Sequence, residues 1–150
     1  MKIDNRLVGQ TSENIFFSLL NQKGVFAHPF DTAGFDGIVF DFQNELFKVG
    51  KSPFFIQIKC RGAKGHEYNA QGHSQKTIEK IRNVARELQL PDTSLYFVVG
   101  FFKNDDIRKI LYYVIPFGSL GQFEKNGNYR FSPVKCKEES VRDMNITIIE

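Results

Sequence analysis

Between residues 9 and 23 apolar side chains recur at helical spacing, with Ile15, Phe16, Leu19 and Leu20 on one side. Thr11 or Ser12 can cap this helix and Gly24 can stop it. The period then shortens to two. Strands are predicted over 36–42 ("DGIVFDF"), 46–49 ("LFKV") and 54–60 ("FFIQIKC"), separated by the turns "QNE" and "GKSP", which makes a meander of three. A second helix is predicted over 74–88. Ile78, Ile81, Val84, Ala85 and Leu88 form its stripe, and Lys76, Lys80, Arg82 and Glu87 lie off it. Beyond "LQLPDTS", the run "SLYFVVGFF" is almost wholly β-branched and aromatic, as a strand covered on both faces should be. "KNDDIRK" then leads to another strand, "ILYYVIP". Further on, "GNYRFSPV" suits an edge strand and "EESVRDM" a short helical turn. The order α-βββ-α-ββ mixes hairpins with a helical crossover, so the expected class is α/β (α+β), a mixed sheet flanked by helices.

Composition narrows this picture only slightly. A chain of 150 residues without repeats or a long linker is read as a single domain spanning 1–150. Its 41% apolar and 25% charged residues are ordinary for a soluble protein, and no apolar run approaches the roughly 20 residues of a membrane helix. The N-terminal stretch "MKIDNRLVGQTSEN" lacks the apolar segment of a signal peptide, so the expected location is the cytoplasm. Cys60 and Cys136 make neither a disulfide framework nor a metal knuckle. Charge is more telling. Residues 51–86 hold eight Lys/Arg against two Glu, a net +6 in a chain whose total is +3. A basic middle third points to a polyanionic partner.

The strand over 54–60 raises a chemical question. Alternation puts Phe54, Ile56, Ile58 and Cys60 on one face and Gln57 with Lys59 on the other, so an amide and an ammonium emerge side by side. Two acids belong to the same puzzle. Asp36 opens an otherwise apolar strand in "AGFDGIVF", and Glu13 sits on the first helix in "GQTSEN". Individually each has a plain reading: Asp36 can organise a turn, Lys59 can be an exposed strand lysine, and Glu13 can complement a helix dipole.

Together, their order and spacing resemble the PD-(D/E)XK nuclease family, the restriction-endonuclease-like proteins. That pattern is a helix with a glutamate, a strand opening with Asp, and some twenty residues later a strand bearing Glu-x-Lys or a variant; here the last reads "IQIK". Gln57 departs from the commoner acid, as some branches of the family do. The chain most resembles the homing-endonuclease branch found in a cyanobacterial group I intron, and the resemblance runs along its whole length. It implies a metal-dependent, site-specific DNA endonuclease that makes a double-strand break. Alternatives are a Holliday-junction resolvase or restriction-type nuclease, and a DNA-binding protein on a nuclease fold whose site has decayed.

The chemistry suits these residues. Phosphodiester hydrolysis needs deprotonated water and compensation for charge on the phosphate, and a divalent ion supplies both. Mg²⁺ is the expected cofactor, with Mn²⁺ as a substitute and Ca²⁺ binding without supporting cleavage. It favours oxygen ligands and needs only one or two carboxylates. The expected ligands are Asp36, the Gln57 amide oxygen, the Ile58 carbonyl and Glu13, with Lys59 completing the catalytic set beside the water or phosphate.

Double-stranded DNA is the expected partner. "KCRGAKGHEYNAQGHSQK" nominates Arg61, Lys64, His66, His73 and Lys76 as backbone contacts, with Lys51 nearby in sequence. A hairpin at "FFKNDDIRKILYY" would offer Lys103, Asn104, Arg108 and Lys109 to a groove. One domain of this length lies against only about 12 base pairs, so a homodimer is expected at minimum and a tetramer fits the resemblance.

Overall fold

The computed structural model describes residues 5–32, 34–63, 71–103, 106 and 108–150. Its centre is a six-stranded mixed sheet of β1 (Phe26–Thr32), β2 (Phe35–Phe40), β3 (Phe54–Ala63), β5 (Leu95–Lys103), β6 (Leu111–Pro116) and β9 (Thr147–Ile149), in the order β1-β2-β3-β5-β6-β9. A second sheet of three short strands, β4 (Gln71–Ser74), β7 (Glu124–Lys125) and β8 (Asn128–Phe131), has the order β4-β8-β7. The helices are α1 (Asn5–Gln22), α2 (Gln75–Glu87) and α3 (Pro133–Arg142). Only β3 and β5 run parallel, joined through β4 and α2; the other neighbours in the large sheet are antiparallel. This is the mixed sheet flanked by helices that the pattern predicts.

Alternation along the central strands divides the core in two. Phe54, Ile56 and Ile58 of β3, Tyr96 and Val98 of β5, and Tyr112 and Val114 of β6 pack with Phe16, Phe17 and Leu20 of α1. The opposite face, with Phe97, Val99, Tyr113 and Ile115, packs with Ile78, Ile81 and Ala85 of α2, Cys136 of α3, and Tyr129 and Phe131 of β8. β5 contributes to both cores, which explains its unbroken apolar run. Helix α2 starts where Ser74 Oγ accepts the Thr77 amide at 3.3 Å. Leu88, assigned inward by its spacing, is exposed beyond the helix end.

The meander exists but is built from other residues than the pattern suggests. Its first member is β1, which Pro29 and His28 disguise; "LFKV" is not a strand. The buried Asp41 carboxylate accepts the amides of Glu45, Leu46 and Phe47 at 3.2, 2.8 and 2.9 Å, turning the chain into a compact loop. Tyr96 completes it. Its hydroxyl accepts the Val49 amide at 2.7 Å and donates to the Val49 carbonyl at 2.6 Å, so side chains replace a ladder. At the C-terminal end "GNYRFSPV" divides into β8 and the start of α3, and α3 is longer than the helical turn expected over "EESVRDM".

Candidate active site

The pairing of β2 with β3 runs from Val39↔Phe54 to Gly37↔Ile56, whereas β3 continues to Ala63 along β5. At the end of the β2 ladder Asp36 Oδ2 accepts the Ile58 amide at 2.7 Å, so its carboxylate takes the place of a backbone carbonyl. Burial raises the Asp36 pKa; the Ile58 bond and Lys59 oppose this, and Asp31 adds to it.

Glu13 approaches on α1. Phe17, one turn further along the same helix face, rests on Gly37, where a Cβ would run into its ring. Only glycine lets α1 come this near β2. The helix is also fastened on its other side: Tyr112 OH donates to the Ser12 carbonyl at 2.6 Å, beside Glu13. So placed, the half-buried Glu13 carboxyl is pushed up to about 7, first by desolvation and then by Asp36, with Lys59 pulling it down and Asp31 pushing it up. Glu13, Asp36 and Lys59 therefore share one electrostatic neighbourhood.

Gln57 and Lys59 share the β3 face opposite the apolar row, as alternation requires. Gln57 is only 8% exposed. Its Oε1 is buried and has no hydrogen-bond partner among the described residues. An unsatisfied buried oxygen costs about 1–3 kcal/mol, so this one is available to accept from a water or to bind a ligand. Among the described residues no three His, Cys, Asp or Glu side chains cluster as a metal site. The hard oxygens on offer are the Asp36 carboxylate, the Gln57 amide oxygen and the adjoining backbone, a set that would suit an ion needing few carboxylates.

The other nominated residues scatter. Arg61 is exposed near the end of β3, in line with Gln57 and Lys59, and His73 on β4 is half-buried against Phe97 and Phe131 at ring distances of 5.3 and 6.0 Å. Burial, with Lys59 and Arg61 nearby, pushes the His73 pKa down to about 4. Lys76 is exposed in the first turn of α2. Lys51 precedes β3, at the end of that strand remote from Lys59. Lys103 ends β5, and Arg108 and Lys109 are exposed before β6, Arg108 holding Asp106 at 3.0 Å. Lys64, His66 and Asn104 lie outside the described residues. Cys60, with its thiol pushed up to about 11 by burial, belongs to the packing.

Asp31 was absent from the sequence reading. The β1–β2 register shifts between Pro29 and Thr32, and such irregularities redirect side chains. Asp31 there bears on both Glu13 and Asp36. The signal in the sequence is faint: a second Asp five residues before Asp36, across a Gly-containing turn.

No protein-family model matches the chain, and no curated protein matches it. Among solved structures it is similar to Archaeoglobus fulgidus Hjc, a Holliday junction resolvase from an archaeal hyperthermophile, with a TM-score of 0.50 and 13% identity over 87% of this chain and 88% of that one. The fold is restriction-endonuclease-like. The Asp36 carboxylate at the end of the β2–β3 ladder and the polar pair on β3 form the candidate site. No helix among the described residues is long and apolar enough to cross a membrane.

Proposed function

We propose that this chain is a divalent-metal-dependent endodeoxyribonuclease that hydrolyses phosphodiester bonds in double-stranded DNA. The observation that carries the reading is the buried Gln57 Oε1, without a hydrogen-bond partner among the described residues, on the strand whose Ile58 amide binds Asp36 and whose next outward residue is Lys59. Asp36, Gln57 Oε1 and the Ile58 carbonyl would hold Mg²⁺. When bound, that ion activates water and offsets charge on the phosphate. Lys59 stabilises negative charge growing on the phosphate oxygens. Glu13, held near 7, is suited to accept and return a proton at neutral pH. Arg61 and Lys76 would contact the backbone.

Within this class we infer a homing-type enzyme that breaks a long duplex at a specific site, on the strength of the sequence resemblance. The resolvase named above supports a second reading, a four-way junction substrate. Purified protein with Mg²⁺, and with EDTA as control, should be offered a long duplex library and a synthetic four-way junction. Mg²⁺-dependent cuts at one duplex sequence support homing. Cuts confined to the junction support the resolvase. DNA binding without cutting of either would mean that the site is inactive and the proposal wrong. A working homing enzyme also needs two active sites, so we take it to act as a homodimer at least.

A further inference from the structure

Arg61 forms one wall of a cleft of about 500 Å³ whose other walls come from the small sheet. Lys125 and Arg130 stand there with Asn126 and Asn128, and no acidic side chain is among the described residues lining it. The sequence explains why they are held firmly. Asn126 and Gly127 have φ of 53° and 79°, and Lys125 pairs with Asn128, which together describe a tight two-residue hairpin. Along β8, Asn128 and Arg130 face out while Tyr129 and Phe131 face in. Phe131 stacks on Phe97 of β5 at 5.3 Å and lies 4.9 Å from Phe123, which anchors β8 to the large sheet. Opposite Arg130 stands Gly72, where a Cβ would meet nothing within 4 Å. The floor is therefore open. Glu124, the acid nearest in sequence, is not among the described residues lining the cleft and is held by Gln75 Nε2 at 2.6 Å.

The cleft meets β3 at Arg61, two residues beyond Lys59 along the strand. Gln57, Lys59 and Arg61 lie on one face of β3, and each two-residue step covers about 6.6 Å. Cations thus follow one another from Lys59 through Arg61 to Lys125 and Arg130 across the cleft. We propose that this cleft binds the DNA backbone, seating a phosphodiester one or two nucleotides from the one that is cut, with Lys125 and Arg130 supplying charge and Asn126 and Asn128 supplying amide donors. The proposal rests on the nuclease reading for which phosphate is cut, but not for the binding itself. A basic row with amide donors recognises phosphate without reading bases.

The test is binding in EDTA, where no strand is cut. Fluorescence anisotropy of a labelled duplex would be followed over a salt series for the wild type, Lys125→Gln/Arg130→Gln, Lys125→Arg/Arg130→Lys, and Gly72→Glu. Each phosphate contact contributes about 0.9 to the slope of log K against log salt. The double glutamine variant should lose about 2 from that slope and bind on the order of tenfold more weakly at 0.1 M salt, while the charge-conserving variant keeps the wild-type slope. Gly72→Glu, which leaves the hairpin sequence intact, should also weaken binding. An unchanged slope in both the glutamine and Gly72→Glu variants overturns the proposal, as does a wild type that binds no DNA. Cleavage by the wild type in Mg²⁺ is scored separately. Altered slopes without any cleavage would sink the nuclease reading alone; cleavage with unaltered slopes would sink only the cleft.

Discussion

Asp36 and Ile58 are joined by a 2.7 Å bond from backbone amide to carboxylate, made where the β2–β3 ladder ends. An asparagine oxygen can accept the same bond, so Asp36→Asn should fold normally. We predict that it loses cleavage and keeps its affinity for DNA, because only the charge at the centre of the site is gone. A second effect is expected without metal. Asp36 helps to raise the Glu13 pKa, so Glu13 should titrate below about 7 in the variant, measurable by NMR. Turnover near that of the wild type would remove Asp36 from the mechanism.

Gln57 offers a contrast between stability and activity. Its Oε1 is buried and has no partner among the described residues, so Gln57→Leu should leave metal-free stability within about 1 kcal/mol of wild type while removing cleavage. Gln57→Glu should retain activity or tighten Mg²⁺ binding. Urea unfolding and Mg²⁺ titration distinguish the two. An active leucine variant would show that the amide is no ligand.

Lys59 acts on two neighbours that can be read separately. Lys59→Ala is predicted to slow cleavage by several orders of magnitude and to raise the His73 pKa above about 4, since the ammonium helps to depress it. NMR of the His73 ring checks the second effect even in a preparation that cuts nothing. An unmoved His73 resonance with full activity would remove Lys59 from the site.

Stability should depend on pH with two opposing slopes. The folded chain keeps the Glu13 proton up to about 7, whereas the unfolded chain releases it near 4.5, so this group makes the fold weaker as pH rises through that window. Asp36, also raised, has the same sign. His73 runs the other way. Its folded pKa of about 4 lies below the ordinary 6.5, so stability is full above 6.5 and is lost as pH falls toward 4. Urea midpoints of metal-free Glu13→Gln should therefore fall less between pH 4.5 and 7 than those of the wild type, and His73→Asn should lose the acid-side decline. Parallel curves for all three proteins would contradict the assignment.

Self-association follows from the proposed double-strand cut. Sedimentation equilibrium at micromolar protein, without DNA and with a target duplex, should give at least a dimer. A monomer in both conditions would count against the homing reading.

The site's strands were readable because period-two alternation alone places Gln57 and Lys59 together and buries Phe54, Ile56 and Ile58. Helices α1 and α2 were readable for the same kind of reason, a long stripe with a stop signal, but α1 begins at Asn5, so Thr11 and Ser12 lie inside it and Ser12 Oγ donates to the Gly9 carbonyl where a cap was expected. What sequence hid was side-chain hydrogen bonding over a distance. Asp41 folds "LFKV" into a loop, and no periodicity announces that one carboxylate will accept three amides. The short strands β4, β7 and β8 were equally obscure, because their pairing depends on residues far apart such as His73 and Tyr129. Asp31 escaped because a shifted register, not a pattern, directs it.

The bond from Tyr112 to the Ser12 carbonyl spans one hundred positions of chain. A protein leaving the ribosome exposes α1 early and β6 late, so the helix that carries Glu13 lacks this tie to the sheet until most of the chain has emerged. Burial holds the Tyr112 hydroxyl protonated far above neutrality, so once in place the fastening does not depend on cellular pH. On the nuclease reading proposed above, a chain that still lacks β6 carries Asp36, Gln57 and Lys59 without the fastening that helps to seat Glu13.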